Sequence, residues 1–245
     1  MLASRADPEE ADATVAPAYG TRYLTEPVPR YDLPEGEMPA HIAYQIVHDE
    51  LNLDGNPALN LATFVTTWME PEADRIMAES LGRNYIDADE YPQTTEIQNR
   101  CVNMLARLFH APEDTRSVGC ATVGSSEAIH LAGLALKWRW RQRRAAEGRP
   151  TDRPNLVMGH NVQVCWEKFA RYFDVEPRYV PLTEGRWVLG VPEAVERVDE
   201  STIGVVGILG STYTGEYEPI AELHSALQDL NARSGWDVPI HVDAA

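Results

Sequence analysis

The chain has 245 residues and a formal net charge of −17, from 21 basic and 38 acidic side chains. Hydrophobic residues make up 44% of it, which is enough for a soluble globular core. The acidic excess argues against non-specific nucleic-acid binding, which needs lysines and arginines to neutralise phosphates. The longest apolar run, residues 203–209, is too short to span a membrane. The three cysteines are too scattered for a disulfide framework or a CxxC metal site, so a reducing cytoplasm is the predicted location.

The first part of the chain is predicted to be an arm followed by helices. Residues 1–35 are rich in proline and poor in large aliphatic side chains, so we expect a flexible arm. Residues 36–115 read as a helical segment. It begins with a helix from Pro39 whose apolar face holds Ile42, Ile46, Val47 and Leu51. A second helix is predicted over 73–81, and Thr95 with Gln98 matches the capping box of a third.

Beyond residue 116, short apolar strands alternate with helices. The alternation predicts a mainly parallel α/β sheet covered on both faces. The predicted strands are 117–123, 156–159, 178–181, 202–209 and 240–243. The predicted helices are 126–146, 162–173, 192–198 and 219–232, the last with Pro219 at its first position.

A candidate phosphate site lies where the strand 117–123 meets the long helix. Gly124, Ser125 and Ser126 occupy this junction. A helix N-terminus leaves backbone N–H groups unpaired and carries about half a positive charge. Neither serine is followed by a capping-box partner, and Gly124 would let a ligand approach the backbone. The alternative is that the serines only cap the helix.

Two further places follow apolar strands, where ligands bind in open α/β sheets. The loop 207–215 is rich in glycine and threonine but lacks the Gly-Lys-Ser/Thr ending of a Walker loop, and by itself it reads as a flexible connection. Asp243 ends the last strand, where a carboxylate needs a partner. It could pair with a cationic ligand group such as a pyridinium nitrogen, or it could cap a following helix.

Several common sites are excluded by their missing motifs. The chain has no HExxH, no GxSxG elbow and no GxGxxG after a strand, which excludes the usual zinc protease, serine hydrolase and Rossmann patterns. The basic segment 137–144 is best read as a solvated helix end. The two lysines, Lys137 and Lys168, both lie on predicted helices, so neither is placed to bind an aldehyde cofactor covalently.

Taken together, long stretches of the chain resemble the glutamate decarboxylases, members of the pyridoxal-phosphate (PLP)-dependent group II amino-acid decarboxylase family. The resemblance covers nearly everything from about residue 19 onward. It implies the aspartate-aminotransferase-like fold (fold type I), with 116–245 as the N-terminal, incomplete part of the PLP-binding large domain. The stretches that carry it are 60–64, 84–112, 124–141, 162–173, 212–215 and 241–245.

The resemblance implies a cofactor site. Ser125 and Ser126 would hold the PLP phosphate, and Asp243 would pair with the pyridinium nitrogen. Gln163 would lie against the ring face. Thr212 and Ala245 would also contact the cofactor. The protonated ring accepts the electrons that decarboxylation leaves on the substrate α-carbon. The family's Schiff-base lysine would lie beyond Ala245, so the chain by itself is expected to be an inactive N-terminal fragment with no catalytic residue of its own.

The resemblance also implies a substrate and an assembly. Thr63 and Phe64, with Asn84 and Asp87 from a neighbouring subunit, would bind the side-chain carboxylate of L-glutamate. The complete protein would convert L-glutamate to 4-aminobutyrate and CO2 in the cytoplasm, as a homo-oligomer built from dimers and extending to a hexamer. One alternative is a related decarboxylase acting on another amino acid. Another is a non-catalytic chain that pairs with a full-length partner.

Overall fold

A computed structural model describes residues 30–33, 36–59, 68–112 and 118–245. The chain divides into two units, residues 1–65 and 66–245. In the first unit, helix α1 (Ala40–Leu51) confirms the helix predicted from Pro39, and a short 3-10 helix spans Pro57–Leu59. Ile42 is buried, whereas Val47 and Leu51 of its predicted apolar face are exposed. The predicted boundaries of the arm and of the two segments after it stay predictions.

The second unit begins with two helices, α2 (Pro71–Ser80) and α3 (Pro92–Leu108), close to where they were predicted. The predicted capping box is wrong, because α3 begins at Pro92, with Tyr91 as an N-cap that makes no side-chain capping bond. Proline suits this first position because its φ is already helical and it has no N–H to satisfy. The freed Gln98 side chain instead accepts a hydrogen bond from the Ala121 N–H at 2.8 Å.

Within the described ranges, four parallel strands form one sheet, in the order β2-β1-β3-β4. Every residue of β1 and β3 is buried. Strands covered on both faces read as continuous apolar runs, which is why the sequence predicted them well. The strands are β1 (Asn155–Gly159), β2 (Glu176–Val180), β3 (Thr202–Ile208) and β4 (Ile240–Asp243).

Helices pack on both faces of this sheet and enclose two apolar cores. The helices are α4 (Ser125–Ala146), α5 (Val164–Tyr172), α6 (Val191–Glu196) and α7 (Ile220–Ser234). Alternate β1 residues point to opposite cores, since side chains alternate along a strand. Met158 packs in a core with Trp166 of α5, and Val157 packs in the other with Leu223 of α7. The three-layer α/β prediction is confirmed.

One predicted strand is wrong. Of the residues 117–123, the structure describes 118–123, and these form no strand. Val118 and Val123 are 97% and 99% exposed. A strand needs a neighbour for its backbone hydrogen bonds, and none of the four described strands pairs with this segment. The apolar residues of this segment could not show that it has no neighbouring strand among those described.

The basic end of α4 is solvated only in part. Trp138, Arg139, Arg141 and Gln142 are exposed, as predicted, whereas Trp140 and Arg144 are buried. Trp140 is buried and donates its indole N–H to the Glu200 carbonyl at 3.2 Å. Arg144 is 5% exposed and donates to the carbonyls of Pro150 and Glu200. Its guanidinium also lies 5.4 Å from the centre of the Trp140 ring. Within the described ranges, no helix is long and apolar enough to cross a membrane.

The strand order reverses at one point of the sheet, where a crevice is expected at the carboxyl edge. After β1 the chain moves to β2 on one side, and it then returns to place β3 on the other side. Ligands of open α/β sheets bind outside the carboxyl ends of the strands where this reversal occurs. Here that position lies between the ends of β1 and β3.

Candidate functional site

The N-terminus of α4 offers free backbone donors. Gly124 is the N-cap residue in extended backbone conformation, and no side chain in the described chain caps this helix. Ser125 and Ser126 are exposed at its first two positions. The carboxylate of Glu127 accepts a hydrogen bond from the Val123 N–H at 2.8 Å, which turns it back along the preceding segment. The first-turn N–H groups of a 22-residue helix are therefore left available to an anion.

The start of α5 brings three of the predicted cofactor residues together. Gln163 is the N-cap residue of this helix, and its side-chain oxygen accepts from the Val164 N–H at 3.0 Å. The Ser126 hydroxyl lies close enough to the buried Cys165 thiol to oppose the rise in its pKa. The buried Trp166 donates its indole N–H to Asp243 Oδ2 at 3.0 Å. Ser126, Gln163 and Asp243 therefore converge on one helix turn.

The pKa shifts of Cys165 and His241 show that the Asp243 carboxylate has poorly solvated neighbours. Burial raises the pKa of the Cys165 thiol, and the Asp243 charge raises it further, against the Ser126 hydrogen bond. Burial lowers the pKa of His241, and Asp243 opposes that shift. Both groups are thus held towards their neutral forms, and neither supplies a fixed positive charge. A cationic ligand group would be a favourable partner for this carboxylate.

Asp243 retains both of the roles that the sequence allowed. Its Oδ1 accepts from the Ala245 N–H at 3.3 Å, a contact of the kind that a helix N-cap makes. Its Oδ2 is held by Trp166 on the neighbouring helix layer. A carboxylate fixed at both oxygens has a defined orientation at the strand end, whichever role it serves.

The segment that follows β3 is a hydrogen-bonded hairpin and not the flexible connection that its composition favoured. Leu209 and Tyr217 form an antiparallel bridge. Inside it, the Ser211 N–H donates to the Glu216 carbonyl at 2.9 Å, and the Gly215 N–H donates to the Ser211 carbonyl at 2.8 Å. Thr212 lies within this hairpin and is half-buried. We name residues 209–217 the β3 hairpin.

The predicted substrate residues are only partly placed. Asn84 and Asp87 lie in the turn between α2 and α3, where each side chain accepts a local backbone hydrogen bond. Their neighbours Tyr85 and Ile86 line a cavity of about 700 Å³ that extends to Glu127 at the start of α4. Neither Asn84 nor Asp87 lines it directly. Thr63 and Phe64 lie outside the described residues.

Both lysines are placed away from the strand ends, as expected. Lys137 donates to the Phe173 carbonyl, which ties its ammonium group to the far end of α5. Lys168 is exposed on α5. Neither side chain is positioned beside Asp243 by any contact in the described chain.

Sequence reasoning missed three side chains at the carboxyl edge. These are Trp166, Asn161 and Glu218. The sequence assigned no role to Trp166, whose indole N–H donates to Asp243. Glu218 is 3% exposed and bonds Asn161 at 2.9 Å. An acidic residue directly before Pro219 resembles an ordinary N-terminal helix residue. The sequence therefore carried no signal that Glu218 is buried.

Comparison of the sequence with known proteins identifies the family of the chain. The family model described as "Pyridoxal-dependent decarboxylase conserved domain" matches residues 34–245. Over the whole chain, identity is 57% to "Glutamate decarboxylase 5" of Arabidopsis thaliana and 56% to "Glutamate decarboxylase" of Solanum lycopersicum. The chain spans about half the length of the curated relatives it matches, 49% in both cases.

Solved structures agree. Glutamate decarboxylase of Lactobacillus brevis matches with a TM-score of 0.87 and 44% identity, covering 94% of this chain and 52% of that one. Sphingosine-1-phosphate lyase of Burkholderia pseudomallei shares the fold, with a TM-score of 0.72 at 19% identity over 90% of this chain and 50% of its own. The fold class and the family inferred from sequence resemblance are confirmed. The chain belongs to the family of pyridoxal-dependent decarboxylases.

Proposed function

We propose that the protein containing this chain is a glutamate decarboxylase, which converts L-glutamate to 4-aminobutyrate and CO2 with PLP as its cofactor. The observation that carries the proposal is the 57% identity to a glutamate decarboxylase over the entire chain. A homo-oligomer built from dimers, extending to a hexamer, and a cytoplasmic location belong to the same proposal.

The described residues fit a phosphorylated pyridine cofactor on two counts. The uncapped N-terminus of α4, with Ser125 and Ser126, suits a phosphate because it presents free N–H groups and hydroxyl donors. Asp243, oriented by Trp166 at 3.0 Å, suits a protonated ring nitrogen. Both features lie near the start of α5, because Trp166 donates to Asp243 and the Ser126 hydroxyl acts to lower the pKa of the Cys165 thiol.

Each residue then has a distinct task. PLP supplies an electron sink for the pair left on the substrate α-carbon when CO2 departs. The Asp243 carboxylate would hold the ring nitrogen in its protonated form, and Trp166 would keep that carboxylate in place. Ser125 and Ser126 would anchor the phosphate. Gln163 at the start of α5, Thr212 of the β3 hairpin and Ala245 after β4 would flank the cofactor.

The substrate proposal rests on four residues that the family resemblance assigns to the substrate pocket. Asn84 and Asp87, with Thr63 and Phe64, would bind the side-chain carboxylate of glutamate. Asn84 and Asp87 would do so from a neighbouring subunit. An amide or hydroxyl donor would favour an acidic substrate over an apolar one.

The test is product formation by the purified full-length protein that contains this chain. With PLP present, L-glutamate should yield 4-aminobutyrate and CO2 in equal amounts. Aspartate, cysteine sulfinate, tyrosine and tryptophan form the comparison panel. Turnover of an aromatic amino acid without turnover of glutamate would replace the proposal with a related decarboxylase. Light scattering of the same preparation tests the oligomer.

A further inference from the structure

A buried carboxylate lies between the ends of β1 and β3, outside the set of residues assigned above. Glu218 Oε1 accepts from Asn161 Nδ2 at 2.9 Å and from the Leu189 N–H at 3.1 Å, and Oε2 accepts from the Ile208 N–H at 2.7 Å. Glu218 is 3% exposed. These three donors satisfy a buried charge that would otherwise be costly, so the arrangement is specific.

The local sequence makes room for this carboxylate. A Cβ on Gly159, at the end of β1, would lie 2.2 Å from Asn161 Oδ1 and 3.4 Å from Glu218 Oε1. A Cβ on Gly207, near the end of β3, would lie 3.9 Å from Glu218 Oε2 and 2.4 Å from Ile220. Glycine at 159 therefore leaves the space that the Asn161 side chain occupies beside Glu218, whereas glycine at 207 makes room for Ile220.

The contacts join two segments that carry proposed cofactor residues. Asn161 lies two residues before Gln163, in the connection from β1 to α5. Glu218 directly follows the β3 hairpin that holds Thr212, and its N–H donates to the Ile208 carbonyl at 2.9 Å. One carboxylate thus fixes the base of the hairpin and the connection before α5.

The opposite end of the same strands carries a comparable pair. Asp199 Oδ1 accepts from Asn155 Nδ2 and from the Ser201 N–H, both at 2.8 Å. Arg178 adds an ion pair to Oδ2 at 2.7 Å. A carboxylate–asparagine pair therefore ties β1 to the β3 side at each end of the sheet. The Asn155–Asp199 pair is at the amino end, away from the crevice, and supplies a structural control.

We propose that Glu218 is a positioning residue for the cofactor site. It fixes the position of Gln163 through Asn161, and the position of Thr212 through the β3 hairpin. This inference rests on the proposed function, because it assumes that PLP occupies the crevice. Glu218 itself would touch neither the ring nor the phosphate of PLP. Its effect is to fix two elements that would otherwise move independently at the strand ends.

The substitution Glu218→Gln tests the role while keeping the side-chain shape. A glutamine places an N–H₂ group where one carboxylate oxygen accepted a hydrogen bond, so at least one of the three donors loses its acceptor. Asn161→Ala removes only the link to the Gln163 segment and serves as the second variant if Glu218→Gln folds poorly. Asp199→Asn and Asn155→Ala are the matched controls at the amino end.

The measurement is the PLP dissociation constant of the full-length protein, by fluorescence titration of the apo form, beside its thermal midpoint. We expect Glu218→Gln and Asn161→Ala to raise the PLP dissociation constant by about tenfold or more, by analogy with the loss on removing a hydrogen-bond partner that orients a metal ligand. The induced circular dichroism of bound PLP should also change. Asp199→Asn and Asn155→Ala should lower the thermal midpoint without altering either cofactor signal.

Two outcomes would overturn the inference. One is a PLP dissociation constant and dichroism unchanged in both Glu218→Gln and Asn161→Ala, which would leave Glu218 a purely structural group. The other is an equal loss of affinity in the amino-end controls, which would mean that general destabilisation causes it. Failure of the proposed function looks different, because then the wild-type protein would bind no PLP and the inference would fall with it.

Discussion

Trp166 and Asp243 are joined across 77 positions of sequence by a hydrogen bond from indole Nε1 to Oδ2 at 3.0 Å. Trp166 is fully buried on α5, and Asp243 ends β4. The ring of His241 meets the Trp166 ring edge-on at 4.9 Å between centres. A buried indole thus fixes a carboxylate at the edge of the sheet, and this couples the packing of α5 to the chemistry proposed for Asp243.

Removing that donor should weaken PLP binding more than it weakens the fold. Trp166→Phe keeps an aromatic ring but leaves Asp243 Oδ2 without its indole partner. A hydrogen bond to a charged group contributes about 1.5–3 kcal/mol, so we expect the PLP dissociation constant to rise by roughly tenfold. Trp140→Phe is the matched control, because Trp140 is buried in the same core but donates to the Glu200 carbonyl. An equal loss of PLP affinity in both variants would contradict a specific role for Trp166.

Replacing Asp243 by asparagine removes the carboxylate charge while it keeps the shape of the side chain. The amide oxygen can still accept from Trp166, so the fold and the phosphate anchor should survive. Without the negative charge, the ring nitrogen loses the group that holds its proton. We expect 4-aminobutyrate formation to fall by about a hundredfold, comparable to deleting one preorganised electrostatic group. Turnover of Asp243→Asn close to that of the wild type would show that Asp243 serves only as the helix cap.

Stability should depend on pH through His241. Burial lowers its pKa below the ordinary value of 6.5, and Asp243 opposes the shift only in part. The unfolded chain therefore takes up this proton at a higher pH than the folded chain does. Stabilisation of the folded state by neutral His241 is therefore present at pH values above the pKa of this residue in the unfolded chain. It is lost as the pH falls through that pKa towards the lower pKa of His241 in the folded chain.

The corresponding measurement is urea unfolding at several pH values. For His241→Gln, the decline in the free energy of unfolding between about pH 7.5 and about pH 5.5 should be shallower, by at most about 1.4 kcal/mol per pH unit for one proton. Replacing His224, which is exposed on α7, controls for the substitution itself. Identical slopes for the wild type and His241→Gln would refute the prediction.

Close packing between α4 and α5 makes Gly133 intolerant of a side chain. A Cβ at Gly133 would lie 2.5 Å from two ring atoms of Phe169, which is fully buried in the core. Overpacking of this kind costs about 1–3 kcal/mol, partly offset by the higher helix propensity of alanine. Gly133→Ala should therefore lower the thermal midpoint. Gly82→Ala is the control, since nothing lies within 4 Å of its Cβ position. Equal midpoints for the two variants would contradict the packing argument.

Some of the site could be foreseen from local sequence. Gly124, Ser125 and Ser126 form a short pattern whose chemistry depends on a helix N-terminus, and α4 does begin at Ser125. Asp243 was placed at a strand end by an apolar run before it. In both cases the meaning of the residue depends on its immediate neighbours, so a linear pattern carries it.

The roles of Glu218 and Trp166 could not be predicted from the sequence, because their hydrogen-bond partners are distant in sequence. Glu218 meets Asn161 from 57 positions away, and Trp166 meets Asp243 from 77. The segment 118–123 was misread as a strand for the same reason, since pairing depends on a neighbour and not on the segment's own side chains. The capping box at Thr95 failed because Pro92 gave α3 an earlier start.

The sequence by itself determined the order and approximate bounds of the described α/β elements, because β1 and β3 are continuous apolar runs and the helices have periodic faces. It also determined the family, through long stretches that match glutamate decarboxylases. Only the tertiary structure decided that Trp166 holds Asp243 and that Glu218 is a buried acceptor between two strand ends. Those are long-range hydrogen bonds, and the folding of the sheet alone brings their donors and acceptors within reach.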